Sequence, residues 1–94
     1  MKIKEECKKD YEKFENNNQD FYGAGVIRFT ERWADAMEEE IERIGTISFD
    51  KARGLSYKCD TEGITGFMFG CAKSILKQWW LHSDIFTREE WQAL

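Results

Sequence analysis

The stretch Asp60-Thr-Glu-Gly-Ile-Thr-Gly-Phe-Met-Phe-Gly70, running on through Cys71-Ala-Lys-Ser-Ile-Leu-Lys-Gln-Trp-Trp-Leu-His82, decides the fold of this chain. Its apolar residues recur at helical spacing, which predicts one long helix from about Thr61 to His82 with Asp60 or Thr61 as its cap. On a helical wheel it carries two apolar faces. Ile64, Phe67, Met68, Cys71, Ile75 and Trp79 make the first, and Phe69, Ala72, Leu76 and Trp80 the second. A helix apolar around most of its circumference is normally buried, so this one is expected at the centre. Gly63, Gly66 and Gly70 sit on one side and together cost a helix roughly 2–3 kcal/mol relative to alanine. A strip of that kind lets a backbone, a ring or a ligand come close.

Outward from this rod the chain reads as helical throughout. Tyr22, Val26, Phe29, Trp33, Met37, Ile41 and Ile44 form a stripe at steps of three and four, which predicts a helix that starts between Asp20 and Gly25 and ends at Ile44. Asp20 suits its N-cap and Gly45 the position just past its end. Ile3, Cys7, Tyr11 and Phe14 predict an outer helix from Lys2 to Glu15, ended by Asn16-Asn17-Asn18. Between Thr46 and Asp60 a short helix, Phe49 to Tyr57, is expected behind Ser48, weakened by Gly54. Thr87-Arg-Glu-Glu90 is a capping box, with Phe86 and Trp91 placed as a hydrophobic staple, so a last short helix is expected there. The reading is all-α: residues 1–94 form a single domain, a compact bundle of three main helices with a short connector helix and a short C-terminal helix.

Composition narrows the function. In 94 residues there are 14 Lys and Arg against 18 Asp and Glu, a net charge of −4 that counts against direct nucleic-acid binding. No apolar run is long enough for a membrane span and the first residues lack an apolar leader, so a place in the cytosol is expected. The three cysteines include no close pair and are expected as free thiols.

Reactive constellations are few. Cys71 and His82 lie eleven residues apart on one helix, about 16 Å of rise, too far for a nucleophile and its base. Glu38 and Glu42 share a helix face, a pattern seen in small all-α nucleotide pyrophosphohydrolases that hold Mg²⁺, and are candidate metal ligands. A second acidic pair on the other long helix is missing, with Glu62 standing alone there. Arg28 and Arg32, one and two turns past Gly23-Ala-Gly25, are candidate anion ligands. Asp60 and Glu62 join them as candidate ligand-binding residues. No catalytic residue and no cofactor is assigned.

The apolar surplus points to association instead. A small bundle covers one face of its central helix more easily than two. Phe69, Leu76 and Trp80, with the Gly66 and Gly70 strip, are therefore the expected interface, in a homodimer or higher homo-oligomer.

Two segments, Tyr22-Gly-Ala-Gly-Val-Ile-Arg-Phe29 with Trp33-Ala-Asp-Ala-Met-Glu38, and Asp60 to Gly70, resemble a group of small phage and prophage proteins. That resemblance covers roughly Tyr22 to Trp80 and brings no catalytic residues with it. It implies a phage or integrated-element origin, where short accessory proteins often act on host machinery, including defence systems. The expected function is thus a non-enzymatic accessory protein that binds a host protein or a small ligand as an oligomer in the host cytosol. The alternative is a small metal-dependent protein that binds or hydrolyses a nucleotide. A nucleic-acid mimic is the third reading.

Overall fold

The computed structural model describes residues 2–17, 21–61 and 63–94, with the backbone alone for Phe21 and Tyr22. The expected cap Asp20, the Tyr22 side chain and Glu62 therefore lie outside the described residues. Among those described, six helices succeed one another: α1 (Lys2–Glu6), α2 (Lys8–Asn17), α3 (Phe21–Ile44), α4 (Phe49–Cys59), α5 (Gly66–His82) and α6 (Arg88–Ala93). The all-α architecture is as the periodicity predicts.

The first two helices are nearly one. Cys7 interrupts them, yet its N–H still donates to Ile3 O (3.1 Å) and its own carbonyl accepts from Tyr11 N–H (3.0 Å). Ile3, Cys7 and Tyr11 all face inward. Burial pushes the Cys7 thiol up to about 11 and raises the Tyr11 phenol as well.

At 24 residues and 1.5 Å per residue, α3 is about 36 Å long, and the molecule measures 36 × 25 × 24 Å. Its stripe fills the core with Val26, Phe29, Trp33 and Met37, whereas Ile44 is 53% exposed where the stripe runs past its neighbours. Gly45 then takes φ +85°, a left-handed turn that glycine adopts without penalty, and its N–H donates to Ile41 O (2.7 Å). Because α3 packs against α1, α2, α4 and α5, it shares the centre with α5, which touches α1, α2, α3 and α6. The expected central place of α5 is thus shared with α3.

The connector is firmer than its glycine suggested. Ser48 caps α4 by accepting from Lys51 N–H (3.1 Å), and the helix continues regularly past Gly54 to Cys59. Trp33 Nε1 donates to Ala52 O (3.0 Å) and so ties α4 to the core. Glu40, buried on α3, takes Arg43 from its own helix and Lys51 Nζ (3.5 Å) from α4.

The start of α5 falls later than predicted. Gly63 has φ +71°, which a right-handed helix cannot contain, and Thr65 is the N-cap, accepting from Met68 N–H (3.2 Å). Asp60 belongs to the preceding turn, where its Oδ1 accepts from Ile64 N–H (2.7 Å). At the far end the capping box forms as read: Glu90 N–H donates to Thr87 Oγ1 (3.1 Å), and Thr87 N–H donates to Glu90 Oε1 (2.9 Å).

Candidate functional site

The residues singled out by the sequence fall into quite different surroundings. Leu76 and Trp80 have no exposed surface. Trp80 stacks on Phe86, centroids 4.0 Å apart at 17°, with Trp33 at 5.9 Å and Trp91 at 5.7 Å. The staple residues of the short last helix thus close the second face of α5 inside one subunit. Leu76 and Trp80 are consequently corrected from interface to core, because the aromatic area of Phe86 and Trp91 outweighs the small size of α6.

The other interface candidates stay outside. Gly66 and Gly70 are exposed, and a Cβ added at either would meet no atom within 4 Å. The strip therefore serves no internal packing. It faces outward beside Phe67, which is 70% exposed, and the face continues along Ser74 and Lys77.

The metal candidates do not converge. Glu38 is buried and its Oε1 accepts from Lys2 N–H (3.2 Å), while Glu42 is exposed. Among the described residues no three His, Cys, Asp or Glu side chains gather as a metal would require. Arg32 has a structural task, since its Nε donates to Cys59 O (3.3 Å) at the C-terminus of α4, where a cation suits the helix dipole. Arg28 is exposed on α3. Neither arginine lines the cleft at the start of α5.

That cleft, about 350 Å³, lies where α4, the turn before α5 and the end of the chain meet. Phe29 of α3 and Phe69 of α5 supply its aromatic floor, with centroids 6.1 Å apart and Trp33 5.4 Å from Phe69. From α4 come Arg53, Ser56 and Tyr57, which spacings of three and four place on one helix face; Asp60, Ile64, Thr65 and Gly66 come from the turn and Leu94 from the end. Arg53 Nε donates to Tyr57 OH (3.1 Å), and the guanidinium lies 6.0 Å from the centre of the Tyr57 ring. Lys73 Nζ donates to Leu94 O (3.2 Å) and sits 5.2 Å over Trp91, so the last residues are held at the cleft's rim.

Of the sequence candidates, Asp60, Gly66 and Phe69 meet at this cleft. Arg53, Tyr57 and Phe29 were missed, although an Arg and a Tyr four residues apart on one helix are a readable pair. The three cysteines are free, and burial raises the thiols of Cys59 and Cys71. No helix of the described residues is long and apolar enough to cross a membrane.

No curated protein and no solved structure matches the chain. A family model does, and it extends past the resemblance seen in the sequence to take in the first helix and the staple helix: with residues 1–93 matched, the chain belongs to Tad4, the type I Thoeris inhibitor family of phage anti-defence proteins.

Proposed function

We propose that this chain antagonises type I Thoeris as a binding protein, by occupying a protein component of that host-defence system, without chemistry of its own. The observation that carries the reading is the outer face at the start of α5. Phe67 is 70% exposed beside two outward-facing glycines, and Tyr57, 66% exposed, lies across the cleft that Gly66 also lines. Exposed aromatic side chains next to open backbone are the composition of an interface centre, where a few aromatic residues carry most of the affinity. The same face is open to a second copy of the chain, whereas Leu76 and Trp80 lie inside.

The test is co-elution of the purified chain with each purified Thoeris protein, with light scattering to count copies. One Thoeris protein is expected to form a complex, and Phe67→Asp is expected to weaken it more than about tenfold with an unchanged melting temperature. Inhibition of the defence system without a complex with any of its proteins would overturn the reading.

A further inference from the structure

The cleft has a feature that the protein-binding reading does not use. Arg53 and Asp60 carry opposite charges, line the same 350 Å³ space and do not pair with each other. Arg53 spends only its Nε, on Tyr57 OH, so its two terminal nitrogens have no partner among the described residues. Tyr57 OH accepts that bond and keeps its own proton to donate. On the Asp60 carboxylate, Oδ1 is taken by Ile64 N–H, and Oδ2 has no partner among the described residues. The same space is lined by the half-buried ring of Phe69, with Phe29 beneath it tilted at 55° and only 1% exposed, and with Trp33 behind.

An occupant that satisfies all of this needs three parts. It needs an anionic group for the guanidinium fork, which suits planar or phosphate oxygens. It needs a ring to lie against Phe69, the accessible aromatic side chain of the two. It also needs N–H or O–H donors for the free carboxylate oxygen of Asp60. The volume, about 350 Å³, sits at the lower end of the range for small-molecule sites and suits a ligand of mononucleotide size. We infer that the cleft between α4, the 60–66 turn and α5 is a binding site for a nucleoside monophosphate or a molecule with that combination of ring, hydroxyls and phosphate. The site shares Tyr57 and Gly66 with the protein-binding face, whereas its charged groups, Arg53 and Asp60, are not used by that reading.

The experiment is calorimetric titration of the full chain with adenosine 5′-monophosphate, adenosine and inorganic phosphate in parallel, with amide chemical-shift mapping to place the contact. The monophosphate is expected to bind at least about tenfold more tightly than either fragment and to shift the amides of Tyr57, Gly66, Phe69 and Leu94. Arg53→Gln is expected to reduce the affinity for the monophosphate to that of adenosine. Asp60→Asn keeps the acceptor for Ile64 N–H and is expected to lower the affinity for both nucleoside forms. Both variants are on the surface, and an unchanged melting temperature shows that they are folded. No binding of the monophosphate up to millimolar concentration, or shifts confined to other surfaces, would overturn the inference. So would equal binding by Arg53→Gln. Phe67→Asp, which leaves the cleft intact, separates this outcome from failure of the protein-binding reading: it should bind the monophosphate like the parent chain.

Discussion

The two ends of α5 carry similar sequence chemistry and meet different fates. At its C-terminal end Leu76, Trp79 and Trp80 are sealed, with Phe86 stacked on Trp80 and Trp91 close by. At its N-terminal end Gly66, Phe67 and Gly70 look outward, and a cleft opens alongside. The difference comes from the segment beyond His82. Two aromatic residues flanking a capping box fold back over one end, and only the rim residues Ala93 and Leu94 come near the other. Apolar surface thus stabilises the fold at one end of the helix and is left exposed at the other.

The largest effect should come from breaking the closed end. Trp80→Ala removes a fully buried ring and its stack and should cost about 3–5 kcal/mol in urea unfolding. Trp80→Phe should cost much less, because the buried Nε1 of Trp80 has no hydrogen-bond partner among the described residues.

The next effect is set by pH. Cys7 is buried, and that burial pushes its thiol up to about 11 against an ordinary value of 9.0. Below pH 9 the thiol is neutral whether the chain is folded or not, so nothing changes. Above it the unfolded thiol ionises first, and stability should fall until about pH 11, by at most about 1.4 kcal/mol per pH unit. Tyr11 adds a limb of the same sign, so the Cys7 share is the difference between the parent chain and Cys7→Ala in melts at pH 8 and pH 10.5.

Thr87→Ala dissolves the capping box that aims the staple, which should cost about 1 kcal/mol, or about 4–8 °C in the melting temperature. The smallest effect has the opposite sign. If Gly70 packed a neighbouring backbone, alanine there would clash; since its Cβ meets no atom within 4 Å, Gly70→Ala should stabilise by about 0.5–1 kcal/mol. A destabilised Gly70→Ala would mean that the open end is closed in solution, and would erase the contrast.

Much of the fold was legible because it is written in local signals. The stripe through Val26, Phe29, Trp33 and Met37, the Ser48 cap, the turn at Gly45 and the Thr87–Glu90 box all depend on residues within a few positions of each other. The start of α5 was misplaced because Asp60 and Thr65 are both good caps, and only the left-handed conformation of Gly63 between them chooses. Coverage of Leu76 and Trp80 was misjudged for another reason. Helix length is a poor measure of what α6 can hide, because the rings of Phe86 and Trp91 cover more than the short helix itself. The buried ion group at Glu40 was hidden in a run that reads as a solvated face, since Lys51 joins it from another helix. The cleft was least legible. Its walls come from residues 29, 53–57, 60–69 and 93–94, which only the tertiary fold assembles. Asp60, Gly66 and Phe69 were flagged one by one, without any sign that they share a space with Arg53.

Hydrogen exchange on the chain, free and mixed with whichever Thoeris protein co-elutes with it, is the decisive measurement of whether the open end is the working end. New protection is expected over residues 53–57 and 63–74, with Trp79 to Trp91 unchanged because that region is already closed. Protection confined to the staple helix or to α1 and α2, with the start of α5 exchanging as before, would contradict that assignment.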